Sequence, residues 1–158
     1  MRKILKGTRM RAIVQRVEKS ELYIEGNLFS NIGKGFMVLL GITDTDTDED
    51  MKVLADKILK LRVFEDEKGK MNLSITDVGG ELQIVSQFTL YADCKKGNRP
   101  SFTAAGGPEM AETMYQYIIE ECKKEIAVVE QGEFGADMKV ELLNDGPFTI
   151  ILDSRDIC

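Results

Sequence analysis

The sequence predicts an α/β domain of the α+β type: a single, mostly antiparallel, barrel-like sheet with two covering helices. Three observations predict it. Short apolar runs with strand character follow one another, amphipathic stretches with helix-end signals interrupt them only twice, and 158 residues at 43% hydrophobic content suit one compact unit. No repeat, low-complexity tract or linker divides the chain.

Residues 10–17 (Met-Arg-Ala-Ile-Val-Gln-Arg-Val) and 20–24 read as strands, and Glu25-Gly26-Asn27 supplies a turn before the short run 28–32. Residues 35–42 (Gly-Phe-Met-Val-Leu-Leu-Gly-Ile) form a continuous apolar run, which suits a central strand covered on both faces. The acidic stretch 43–50 (Thr-Asp-Thr-Asp-Thr-Asp-Glu-Asp) alternates carboxylates like a calcium loop, but its spacing fails. Counted from Asp44, the turn glycine falls on Glu49 and the bidentate Glu on Ala55. A Thr or Asp cap with acids at a helix N-terminus accounts for the stretch.

That helix is expected from about 49 to 62, with Met51, Leu54, Ala55, Ile58 and Leu61 on one stripe. Residues 63–75 read as a hairpin with a charged tip, and 81–90 as a strand. A second helix is expected over 108–124. Pro108 suits its first position, Glu109 and Glu112 its first turn, and Lys123 and Lys124 its last. Met110, Met114, Tyr117 and Ile118 are its expected core stripe. Residues 126–130, 138–143 and 148–152 read as closing strands.

Composition excludes whole classes of chemistry. The chain has no His, so a Ser-His-Asp or Cys-His relay, an imidazole base and a His-ligated zinc are all closed. Cys94, Cys122 and Cys158 form no Cys-x-x-Cys pair and indicate neither a disulfide framework nor a thiolate metal site. A formal charge of −6 argues against nucleic-acid binding through bulk positive charge. Residues 1–9 carry Arg2, Lys3, Lys6 and Arg9 without an acid, so the rest is more acidic still. We read 1–9 as a leader or upstream-start segment and 10–158 as the domain. Neither a signal peptide nor an apolar run of membrane-spanning length is evident, which makes the cytoplasm the expected compartment and a membrane partner unexpected.

Three segments invite a functional reading beside a structural one. Ser86-Gln87-Phe88-Thr89 crowds three hydrogen-bonding side chains at a strand end, where donors could hold a carbonyl or an oxyanion; a strand reaching solvent explains it as well. The run 94–102 (Cys-Lys-Lys-Gly-Asn-Arg-Pro-Ser-Phe) is a basic cluster without acids, suited to phosphates or to a solvated loop. Asn144-Asp145-Gly146-Pro147 reads as a turn beside an edge strand, yet Pro147 removes a ladder donor, and a Gly-Pro step admits a cis bond.

These segments, with Gln15-Arg16-Val17 and Phe134-Gly135-Ala136-Asp137-Met138, stand in one order and spacing, and on them the chain from Met10 onward resembles the D-aminoacyl-tRNA deacylase family. Phe148 departs from the pattern, standing where a smaller β-branched residue is expected. The resemblance implies a homodimer whose cis Gly146-Pro147 step reaches into the partner's site and is held by Arg16. It implies hydrolysis of the ester between a D-amino acid and tRNA, with no cofactor and no metal.

Ser86, Gln87, Phe88 and Thr89 are then the catalytic candidates. Gly146, Pro147, Phe134 and Arg16 are candidates for substrate binding and chiral selection, and Lys95, Lys96 and Arg99 for tRNA. Rejecting an L side chain by crowding leaves glycyl esters acceptable. For the nucleophile, a Thr89 hydroxyl competes with water assisted by the ribose 2′-hydroxyl; the missing base favours water. The alternatives are a non-catalytic dimeric nucleic-acid-binding module and a structural dimerisation domain.

Overall fold

The computed structural model describes residues 9–157, so all but the last residue of the leader lies outside it. In chain order come β1 (Arg11–Ile24), β2 (Asn27–Ile32), β3 (Gly35–Gly41), α1 (Asp48–Lys60), β4 (Phe64–Glu65), β5 (Met71–Leu73) and β6 (Glu81–Ser86). A 3-10 turn (Phe88–Tyr91), α2 (Pro108–Lys123), β7 (Val129–Gln131), β8 (Lys139–Asp153) and a one-turn α3 (Ser154–Ile157) complete it. This is a barrel-like α+β domain, with α3 as a helix that the sequence pattern does not announce.

β1 organises the sheet. Its start pairs antiparallel with β3 (Arg11 opposite Gly41, Val17 opposite Gly35) and its end with β2 (Ser20 opposite Ile32). The register is unchanged across Gly33-Lys34, so β2 and β3 form one bent arm folded back along β1 from the turn at Glu25-Gly26. β8 runs along the other edge of β1, antiparallel, from Arg11 opposite Asp153 to Tyr23 opposite Lys139. β1 and β8 are each continuous where the sequence suggested two strands. What separates the halves of β8 is an excursion at 145–148, where the register slips between Gln15 and Val17.

The expectation of antiparallel pairing holds around β1 but not throughout. β3 and β6, and β6 and β7, are parallel. Parallel neighbours need a long crossover, and α1 and α2 lie within those two connections.

Alternation along β3 and β6 divides the interior in two. Phe36, Val38, Leu40, Leu82 and Ile84 meet α1 and α2 through Leu54, Ile58, Tyr115, Ile118 and Ile119. The opposite face gathers Val17, Leu22, Ile32, Met37 and Val85 in a smaller cluster. Gln83, polar and on that second face, is fully buried. Its amide accepts from Ser20 Oγ at 2.6 Å and donates to Ser30 Oγ at 3.0 Å, tying β6 to β1 and β2. A buried polar group is tolerated when so satisfied.

α1 is capped as its sequence indicates. Thr47 is the N-cap in a capping box with Asp50, and Met51, Leu54, Ala55 and Ile58 are buried. On α2 the buried stripe is Ala111, Met114, Tyr115, Ile118, Ile119 and Cys122. Met110 is only half-buried and Tyr117 is 53% exposed, so the stripe is rotated from the expected one. The rotation follows from Tyr115, whose hydroxyl finds the Ile84 carbonyl at 2.5 Å and can therefore go inside.

Candidate active site

β6 ends at Ser86 rather than continuing to Leu90. Gln87 N still bonds to Leu40 O at 2.7 Å, as a strand neighbour would, and the chain then closes into the 3-10 turn at Phe88–Tyr91. A strand end turned in this way exposes Phe88 to 58% and brings Gln87 Nε2 to 2.5 Å from Thr89 Oγ1. The polar crowding of this tetrapeptide thus sits on a turn at the rim of the sheet.

Two cavities meet there. One of about 340 Å³ is lined by Leu40, Ile42, Ser86, Phe88, Gly106 and Phe134, among others. The N-terminal end of α2 borders it through Pro108 and Ala111, so the positive pole of a 16-residue helix lies alongside. The other, of about 260 Å³, includes Val85, Ser86, Gln87, Phe88, Asp137 and Met138 in its wall. Ser86, Phe88 and Gly135 belong to both. Thr89 is exposed and lines neither.

The wall formed by residues 132–138 is fastened from beneath by Tyr115. Its hydroxyl donates to Ile84 O and accepts from Gly132 N at 3.1 Å, and its ring packs against Phe134 at 6.1 Å between centroids. Burial pushes the phenol up to about 12. Sequence reasoning passed over Tyr115. Its spacing of four and three residues from Ala111 and Ile118 was the available signal.

The basic loop is rooted at the lip of the same cavities. Asp93 and Ser101 exchange backbone bonds of 2.7 and 2.9 Å, closing the loop that displays Lys95, Lys96 and Arg99, all exposed. Phe102, just beyond, meets Phe88 edge-on with centroids 5.1 Å apart.

The Gly146-Pro147 step is cis and lies in the excursion of β8. Asn144 closes that excursion. Its side chain accepts from Phe148 N at 2.8 Å and donates to Phe148 O at 3.0 Å, standing in for a strand partner. Arg16 anchors it from β1, donating from Nε to Asp145 O at 3.2 Å and from Nη1 to Val63 O at 2.5 Å. Gly146 has φ +136°, and a Cβ there would lie 2.9 Å from Phe148 N. Gly146 and Pro147 are exposed.

The structure therefore assembles the candidates in two places. Ser86, Gln87, Phe88 and Phe134 surround the cavities, with Thr89 and the basic loop beside them. Arg16, Gly146 and Pro147 meet elsewhere. Ser86 lies opposite Leu40, Leu40 opposite Ala12 and Ala12 opposite Leu152, so Pro147 is three strands and five residues removed. At strand spacings of about 4.8 Å and rises of about 3.3 Å, that is on the order of 20 Å along the sheet.

Among the described residues no three His, Cys, Asp or Glu side chains are grouped to hold a metal, and no helix is long and apolar enough to cross a membrane.

Comparison with known proteins shows the family of the chain. The family model described as D-Tyr-tRNA(Tyr) deacylase matches residues 13–153. A D-aminoacyl-tRNA deacylase of Clostridium botulinum (strain Eklund 17B / Type B) is 57% identical over 145 residues, covering 92% of this chain and 97% of the relative. Among solved structures, the c-Myc DNA Unwinding Element Binding Protein superposes with a TM-score of 0.86 at 43% identity, over 90% of this chain and 97% of that one. A probable eukaryotic D-amino acid tRNA deacylase shares the fold, with a TM-score of 0.80 at 17% identity over 91% and 98% of the two chains. With the match running from β1 to the end of β8, the chain belongs to the D-Tyr-tRNA(Tyr) deacylase family.

Proposed function

We propose that the chain hydrolyses the ester joining a D-amino acid to the terminal adenosine of tRNA, in the cytoplasm and without a metal or cofactor, acting as a homodimer. The observation that carries the dimeric reading is the outward presentation of Gly146-Pro147. The step is exposed and tightly held, yet far from the cavities of its own chain. In the homodimer it enters the partner's cavity, where its carbonyl oxygens accept from the substrate ammonium and occupy the space an L side chain would need. Rejection by crowding leaves glycyl esters as substrates.

The ester is seated across the shared wall at Ser86 and Phe88, and backbone N–H groups of the Phe88 turn, with the Gln87 amide, face the developing oxyanion. The nucleophile is water. Thr89 Oγ1 is hydrogen-bonded to the Gln87 amide, and an amide is no base whichever way it is turned. The chain has no imidazole to take the proton, so the substrate's own 2′-hydroxyl assists the attack. An aminoacyl ester is activated enough for positioning and oxyanion stabilisation to carry the reaction. Lys95, Lys96 and Arg99 guide the acceptor end of the tRNA.

A second reading, a non-catalytic nucleic-acid-binding module, has the likeness to the c-Myc DNA Unwinding Element Binding Protein in its favour. The formal charge of −6 weighs against it. Incubation with D- and L-tyrosyl-tRNA separates the two. Rapid ester loss from the D form alone is expected; retention of both esters by a protein that binds the tRNA would establish the binding module instead.

A further inference from the structure

The turn that carries Phe88 and Thr89 is not held by β6 alone. Within it, Leu90 N bonds to Gln87 O at 3.3 Å and Ala92 N to Thr89 O at 3.1 Å. Such one-turn bonds at the surface open readily. The outer fastening comes from the first residue of β1. Arg11 Nη1 donates to Leu90 O at 3.1 Å, while its Nε pairs with Asp153 Oδ2 at 3.0 Å. Asp153 is 6% exposed and lies at the end of β8, so the anchor is built into the sheet. The guanidinium also lies 5.3 Å from the centroid of Tyr91, whose single hydroxyl proton is within reach of two carbonyls, Arg9 O at 2.6 Å and Gly41 O at 2.8 Å. A planar fork with several fixed donors can satisfy a carboxylate and a carbonyl together.

We propose that Arg11 is a positioning residue for hydrolysis. By holding the Leu90 carbonyl against Asp153, it keeps the Phe88–Thr89 turn, and the backbone donors it carries, aimed at the shared cavity wall. β1 then serves the reaction twice, through Arg11 at the turn and through Arg16 at the Gly146-Pro147 step five residues on. The inference rests on the hydrolytic reading of the site, but its structural half is measurable without substrate.

The test compares wild type with Arg11→Lys and Arg11→Gln. Lysine keeps the charge beside Asp153 but places its donors at a single point. Amide hydrogen exchange at Leu90 and Ala92 is expected to quicken by about ten-fold or more in both variants, with Leu82 to Ile84 unchanged. With D-tyrosyl-tRNA, kcat is expected to fall at least about ten-fold while KM stays within about two-fold, because a misplacement of an ångström is costly at an oxyanion site. Unchanged exchange at Leu90 and Ala92 overturns the proposal whatever the substrate. So does full rescue of kcat by Arg11→Lys, or a loss confined to KM. A wild-type protein inert toward the ester, with faster exchange in the variants, would instead remove the hydrolytic reading and with it the catalytic half of the role.

Discussion

The Arg16 guanidinium lies over the Phe148 ring, 4.8 Å from its centroid, so the residue that departs from the family's pattern serves as a platform for the one that anchors the Gly146-Pro147 step. Arg16 is also within 3.4 Å of the Asp145 carboxylate, and its side chain is only 11% exposed. Arg16→Gln removes the charge and the donors to Asp145 and Val63. It is expected to cost about 1.5–3 kcal/mol of stability and to raise hydrolysis of L-tyrosyl-tRNA relative to the D form. Phe148→Val, which loses the stacked ring and part of its packing against the core, should cost about 1–2 kcal/mol. Urea denaturation and the ratio of D to L turnover check both.

Completion of the cavity by a partner's step is open to a mixing experiment. Gly146→Ala strains a backbone at φ +136° and is expected to disable the step, and Gln87→Ala to disable the cavity. Each homodimer should be slow. A heterodimer holding one chain of each has one intact cavity facing one intact step, so co-expressed protein should regain about half of wild-type turnover per heterodimer. If the step acted within its own chain, mixing would restore nothing.

Thr89 is exposed and outside the cavity walls. Thr89→Ala should keep turnover within about three-fold, while a tRNA ending in 2′-deoxyadenosine should lose about 100-fold or more, the scale of a missing oxyanion-site donor. Single-turnover rates on the two substrates read this directly. A trapped acyl-enzyme on Thr89 would reverse the assignment.

Replacing Lys95, Lys96 and Arg99 together by Ala should raise KM and leave kcat unchanged. The slope of log affinity against log salt should become shallower by about 2–3, at roughly 0.7–0.9 for each phosphate no longer neutralised.

Asp46 sets a pH dependence of stability. It is 8% exposed and accepts from Thr43 N at 2.8 Å and Thr43 Oγ1 at 2.9 Å, yet desolvation still raises its carboxyl to about 6 from 3.8. Asp50 nearby adds to the rise. Because the folded state holds this proton more tightly, the contribution is complete below about 3.8 and is lost as pH rises through 6. Asp50 works in the opposite sense. Its carboxyl is itself buried, which raises it, but bonds from Thr47 and Ser154 and the nearby Arg9 bring it below the usual value, so its contribution disappears on acidification below about 3.8. Urea midpoints of Asp46→Asn should therefore decline less between pH 4 and 7 than those of wild type.

Much of the fold was legible because its local signals agree with its packing. The cap at Thr47, the Pro108 start of α2 and the unbroken apolar run of β3 all lie where their chemistry indicates. What local pattern cannot reveal is pairing. Parallel β3–β6 and antiparallel β1–β3 contacts leave the same apolar stretch in β3, and only the crossovers distinguish them. The continuity of β8 was hidden for a related reason: Asp145-Gly146 has the composition of a turn, but Asn144 and Arg16 hold it as a detour within one strand. A polar Gln83 between apolar Leu82 and Ile84 has the local pattern of a solvent-facing position, and the bonds that let it be buried come from Ser20 and Ser30, far away in sequence. At the site, Ser86 to Phe88 could be read locally. Tyr115 and Arg11 act through carbonyls of other segments, and their roles became visible only with tertiary contacts.

β8 has a further consequence, for solubility. Among the described residues it pairs with β1 alone, which leaves a strand of 15 residues with an open edge and with Leu143 and Ile151 exposed along it. A long, regular edge of this kind invites uncontrolled strand addition. The detour at 145–148 breaks it into two shorter lengths, and Pro147 has no N–H to offer an incoming chain. In a free chain the same detour limits strand addition, and a variant that straightened β8 is expected to precipitate before it fails to fold.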